Sequence, residues 1–152
     1  MFLVKLANEL TLETKSGLSF FVKQLGDSMG ILTGKRALIT GIASNRSIAW
    51  GIASAMYREG AEIALTYQNE RLYSRVAELA EKCDSTIVLP CDVSDDKSIN
   101  ELFVSLQKSW DKFDILVHSL AFAPKEELEG DFVQNTSRQG FSQAHEISSY
   151  SL

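Results

Sequence analysis

The chain has 152 residues, a formal net charge of -5, 45% hydrophobic residues and 23% charged ones. That length supports one domain with a real core and is short for two, and the balance of apolar to charged residues is that of a globular protein. The acidic balance leaves no basic stripe to neutralise phosphates, so nucleic acid is not an expected partner, and no apolar run nears the ~20 residues that cross a bilayer, so no membrane partner is expected either.

Residues 1–28 stand apart as an N-terminal extension. Leu3, Leu6, Ala7 and Leu10, and again Leu18, Phe21, Val22 and Leu25, fall at i, i+3, i+4 and i+7, which predicts two short amphipathic helices flanking the polar stretch "TLETKSG". The apolar start ends at Lys5, too early for a secretory h-region of roughly 7–15 residues. Met29 offers a second start, so the segment is either an accessory extension or the product of a mis-set start site.

From Lys35 onward, strand-like apolar runs alternate with segments of helical period. The runs are "RALIT" (36–40), "AEIALTY" (61–67), "TIVLPC" (86–91) and "FDILVHSL" (113–120). Between them, Ile48, Ile52 and Met56 with Ala49 and Ala53 predict a helix closed by Gly60. Leu72, Val76, Leu79 and Ala80 predict a second, and Ile99, Leu102, Phe103, Leu106 and Trp110 a third, with Ser94 or Asp95 as its N-cap. Such alternation implies parallel strands joined by right-handed crossovers, and near-continuous apolar runs suit a sheet covered on both faces. Pro90 belongs on an edge strand, and the third strand is an edge in the order 3-2-1-4. The expected fold is therefore α/β: a Rossmann-like, doubly wound parallel sheet in three αβα layers, truncated after the fourth strand. Cys83 and Cys91 lack the spacing of a metal site and read as plain thiols in a reducing, cytoplasmic setting.

The turn "TGIASNRSIAWGIA" (40–53) sits where such a fold holds anions, between a strand end and a helix N-terminus. Gly41 follows the strand directly, free to adopt positive φ and without a Cβ to obstruct a phosphate. The rest of the usual G-x-G-x-x-G pattern is missing; a longer loop leads to Ser47 at the expected N-cap, able to cap the helix and to offer its hydroxyl to a pyrophosphate, with Ala49 small enough for close packing. A plain cap with no ligand is the competing reading, and Arg46 in the same loop reads as solvated.

"TGIASNRSIAWGIA", "LTYQNERL", "CDVSDD", "FDILVHSLAFAP" and "EISSYS", in this order and at these separations, closely resemble the bacterial NADH-dependent enoyl-acyl carrier protein reductases, divergent short-chain dehydrogenases/reductases in which G-x5-S-x-A replaces the glycine fingerprint. The resemblance covers residues 29–152 and identifies them as the N-terminal part of an NAD-binding Rossmann domain. It implies cofactor contacts at Gly41, Ser47, Ile48, Gln68, Asp92, Val93 and Leu120, and a backbone at Ala123 that faces the acyl substrate. It further implies an enoyl-acyl carrier protein substrate reduced at its trans-2 double bond in fatty-acid biosynthesis, and a homotetramer.

The residues themselves bear on several of these roles. Gln68 follows the second strand, where a neutral amide can bond a ribose hydroxyl and nearby Glu70 repels a 2′-phosphate, favouring NADH over NADPH although Arg71 is also near; alternatively Gln68 is an ordinary exposed turn residue. Asp92 can accept from an adenine amino group while Val93 packs on the ring; alternatively Asp92 forms a turn or helps cap the next helix. His118 lacks a paired carboxylate and reads as structural rather than as an acid or base. "HEISS" (145–149) falls short of the zinc motif because Ser149 stands where the second histidine is needed, so no metal is expected.

The donor to the enolate oxygen is assigned by the resemblance to a Tyr-x6-Lys pair, which this sequence lacks: the steps from Tyr57, Tyr67 and Tyr73 reach Ala64, Ser74 and Ala80, and Tyr150 stands two residues from the last. No catalytic residue is therefore named, and the sequence stops about half-way through the family's length, so the chain alone is expected to be inactive and to leave its fourth strand with an open apolar edge. A non-catalytic nucleotide- or partner-binding module is the alternative. Another short-chain dehydrogenase is a third reading, against which stand the missing Tyr-x3-Lys pair and glycine turn.

Overall fold

The computed structural model describes residues 30–152, of which Leu32–Leu152 forms one compact unit. The patterns expected over residues 1–28 lie outside the described residues. "RALIT" forms β1 (Arg36–Thr40), buried at every position but the first. Next come α1 (Ile48–Arg58), β2 (Glu62–Tyr67), α2 (Glu70–Glu81), β3 (Ile87–Pro90), α3 (Asp96–Leu106) and β4 (Ile115–His118). A single 3-10 turn (Lys125–Leu128) leads to two short helices, α4 (Phe132–Asn135) and α5 (Arg138–His145), and α5 runs into a π-helical turn (Glu146–Tyr150).

The strands form a parallel sheet of order β3-β2-β1-β4, with Ala37 opposite both Ile63 and Ile115. Alternation along β1 divides the core. Ala37 and Ile39 point to one face, where Ile63, Leu65, Ala49, Ala53, Val76 and Leu79 pack from β2, α1 and α2. Leu38 points to the other, among Ala64, Leu102, Leu106 and Trp110. Helices thus cover the sheet on both sides, the three-layer Rossmann-like arrangement expected from the apolar runs. Pro90 lies on an edge strand: β3 pairs with β2 through Tyr67↔Pro90, and Cys91 N–H carries the ladder one step further to the Tyr67 carbonyl at 2.9 Å.

Local signals place the helix ends. Gly60 adopts φ +90 just past α1. Asn69 accepts from Arg71 N–H at the start of α2, and of the two candidates at the start of α3 the cap is Asp95, which accepts from Lys97 N–H.

Two expectations from the apolar stripes are corrected. Ile48 is 77% exposed, because the first residue of α1 directs its side chain back over the preceding loop and away from the sheet. The contact with the sheet is made by Ala49 and Ala53, both fully buried, whose small size lets the helix approach closely. Phe103 is 37% exposed and stacks on Phe113 rather than entering the core. Among the described residues β4 pairs with β1 alone, and Leu116 is 39% exposed. No helix among the described residues is long and apolar enough to cross a membrane.

Candidate functional site

A cleft of about 370 Å³ opens at the C-terminal ends of the strands. It lies where the strand order reverses between β1 and β4, the place at which an open parallel sheet parts its loops to admit a ligand. The end of each strand contributes to it: Gly41 after β1, Gln68 after β2, Asp92 and Val93 after β3, and Leu120 after β4. These positions, distant in sequence, are brought together. Ser47, Ile48 and Ala123 do not line this cleft.

Gly41 has φ +91, and a Cβ there would strike the carbonyl of Ser119. Its lack of a side chain therefore lets the β1 and β4 loops pass against each other. This need is separate from the approach to a phosphate.

Ser47 occupies the N-cap position of α1 with extended backbone, yet its side chain makes no capping hydrogen bond. The cap expected of it is thus corrected. Its Oγ faces back into the loop, accepting from Ala43 N–H and Ser44 N–H at 3.0 Å each. The hydroxyl oxygen thus satisfies two loop amides, while the amides further along the turn are met by Ser44, whose Oγ accepts from Arg46 N–H and whose carbonyl accepts from Ser47 N–H. The oxygen's two acceptor positions are then taken and its proton remains to donate. The first amides of α1 are left without a side-chain cap, whereas Asn69, Asp95, Asp131 and Ser137 each cap their helices. Arg46 is exposed, and it is Arg75 that braces the loop, donating to the Ala43 carbonyl at 3.0 Å.

Asp92 forms a turn with its Oδ1, which accepts from Ser94 N–H at 3.0 Å and Ser94 Oγ–H at 2.7 Å. Its backbone N–H donates to Ser98 Oγ at 2.9 Å, tying the cleft floor to α3. The turn reading is thereby realised while Oδ2 has no hydrogen bond among the described residues. Cys91, also in the wall, has its thiol pushed up by burial and then by the adjacent Asp92 carboxylate, which makes it a poor nucleophile. Burial first, and then Glu70, raises the Tyr67 phenol at the end of β2.

His118 ends β4 and its Nε2 lies 2.8 Å from Ser151 Oγ, a structural contact as its sequence setting suggested. Several lining residues were not singled out from the sequence. Thr40 closes β1 and Thr66 precedes the last residue of β2, both buried hydroxyls that donate to the carbonyls of Val117 (3.0 Å) and Ile39 (3.5 Å). A threonine closing an apolar strand was the available signal. Gln143 and Ile147 come from the C-terminal helix and reach the cleft together with Phe122. Their i, i+4 spacing marks them as one helix face.

A family model described as enoyl-(acyl carrier protein) reductase matches residues 41–152. The enoyl-[acyl-carrier-protein] reductase [NADH] FabI of Salmonella typhimurium is 58% identical over 124 residues, 82% of this chain and 47% of that protein. The counterpart from Haemophilus influenzae is 55% identical over the same shares. The crystal structure of the NADH reductase of Aquifex aeolicus superposes with a TM-score of 0.77 at 52% identity, covering 80% of this chain and 48% of that one. That of the Anaplasma phagocytophilum reductase, in complex with NAD, gives 0.76 at 42% identity, covering 82% and 47%. The chain spans about half the length of the curated relatives it matches. On the match of residues 41–152 and the shared architecture, the chain belongs to the enoyl-(acyl carrier protein) reductase family.

Proposed function

We propose that the cleft binds NADH and that the chain supplies the cofactor-binding half of an enoyl-[acyl-carrier-protein] reductase of fatty-acid biosynthesis, which reduces the trans-2 double bond of enoyl thioesters. The observation that carries the reading is the convergence of Gly41, Gln68, Asp92, Val93 and Leu120, from the ends of all four strands, on one cleft at the switch point. The donor set fits a dinucleotide. The uncapped first turn of α1, at Ile48 and Ala49, supplies amides and a positive helix end for a pyrophosphate, and Ser47 has a hydroxyl proton left to give. Gln68 would bond the adenosine ribose, and Asp92 Oδ2 would accept from the adenine amino group with Val93 against the ring. Leu120 would lie against the nicotinamide end, and the backbone at Ala123 would face the acyl chain.

Bound NADH supplies the hydride. The residues here bind and orient it, and no Tyr-x6-Lys pair lies among them, so no catalytic residue is assigned and the polypeptide alone is proposed to be inactive. The homotetramer and the acyl carrier protein belong to the same proposal. The expected result is that NADH slows amide exchange over residues 41–49 and binds more tightly than NADPH. Unchanged exchange over that stretch at saturating NADH would overturn the reading; turnover of an enoyl thioester by the isolated polypeptide would overturn its inactivity.

A further inference from the structure

The π-helical turn after α5 changes which carbonyls are free. Ser151 N–H reaches back to the Glu146 carbonyl at 3.2 Å, and so does not take the carbonyl of Ile147. The Ser151 hydroxyl, 2.7 Å from the Ile147 oxygen, donates to it. A hydroxyl has one proton, so the Ser151 oxygen can only accept from its other neighbour, His118 Nε2 at 2.8 Å. The histidine therefore carries a hydrogen on Nε2 and donates. A second clamp lies alongside, where Phe122 N–H donates to Ser148 Oγ at 3.0 Å. Ile147 and Phe122 both line the cleft. His118 is itself fixed by its strand, opposite Thr40 of β1 in the ladder.

We infer that His118 is a positioning residue: through Ser151 it pins the π-helical turn to the end of β4 and so fixes the wall of the cleft that Ile147 and Phe122 form. That this wall faces NADH rests on the function proposed above; the pinning itself does not. The chemistry requires an N–H donor at the end of the side chain, which glutamine also possesses.

The test is amide exchange of the full chain without nucleotide, followed by NADH titration, for His118→Ala, His118→Gln, Ser151→Ala and the His118→Ala/Ser151→Ala pair. We expect the Phe122 and Ser151 amides to exchange at least fivefold faster than in the parent in both single alanine variants, and no faster in the pair than in either single variant. His118→Gln should return to within twofold of the parent, and NADH affinity should fall and recover in the same order. Unchanged exchange in Ser151→Ala, which leaves the strand untouched, would overturn the inference, as would a glutamine variant no better than alanine. Accelerated exchange with glutamine rescue in a chain that binds no NADH would uphold the pinning and defeat the functional reading instead.

Discussion

Replacing Gly41 with alanine isolates a steric demand that the phosphate-turn reading does not contain. The residue has φ +91, and a Cβ on it would run into the Ser119 carbonyl, a backbone atom of the adjacent loop that cannot rotate aside. Gly34 is the control, with φ +76 and nothing within 4 Å of its Cβ position. Gly34→Ala meets the backbone term alone, about 1–2 kcal/mol for a left-handed alanine. Gly41→Ala meets that term and the displacement of the β4 loop, which by analogy with overpacking adds about 1–3 kcal/mol. With a urea slope of about 1.5 kcal/mol/M, the Gly41 variant should unfold at a midpoint lower than the Gly34 variant by about 0.7–2 M. Equal midpoints for the two would refute the clash.

Leu38 is fully buried at the centre of the sheet, so Leu38→Ala should lose about 2–5 kcal/mol in the same urea assay. Asp114 accepts from Arg36 N–H at 3.0 Å and from Lys35 Nζ at 3.2 Å, and these donors, the backbone one first, hold its carboxyl below the usual carboxylate value. A depressed folded-state pKa gives stability that is present above the unfolded value and lost as pH falls through the folded one. The parent should therefore lose stability below about pH 4 relative to Asp114→Asn, whose acid limb should be flatter by chemical denaturation. Burial raises both the Cys83 and Cys91 thiols, so a disulfide reagent at neutral pH should label them slowly in the native chain and rapidly once urea has unfolded it.

The sheet is legible because its central strands β1 and β2 are buried on both faces and so show as apolar runs; "RALIT" and β1 coincide residue for residue. Where burial fails, legibility fails with it. "FDILVHSL" shrinks to Ile115–His118 because β4 has one pairing partner among the described residues, and the flanking residues leave the ladder. The order of the strands followed from Pro90, since a residue without an N–H is tolerated at an edge. Ile48 was misplaced because helical spacing reports a face and not the position of the first turn relative to the sheet. Ile147 and Phe122 were missed at the cleft for another reason. Their placement depends on hydrogen bonds that Ser148 and Ser151 accept from Phe122 and His118, about thirty residues away, and no local pattern encodes such partners.

Ser47 stands at the N-cap position expected of it, but its hydroxyl bonds elsewhere. As a side-chain cap it would have satisfied an amide of α1 and left the loop amides of Ala43 and Ser44 to the ligand. The hydroxyl oxygen instead takes both loop amides at 3.0 Å, and the Ile48 and Ala49 amides at the start of the helix stay open, while Trp50 and Gly51 N–H donate to the Ser47 carbonyl. The direction matters for charge. Loop amides are isolated dipoles, whereas those at the N-terminus of an eleven-residue helix carry the partial positive end of the whole element. On the function proposed above, turning the serine away from its helix would direct a pyrophosphate to the helix end rather than to the loop, with a hydroxyl donor beside it. A single hydroxyl group ties the turn together and leaves the helix end open, and on the proposed function that is how one glycine and one serine would stand where a richer glycine pattern is the rule.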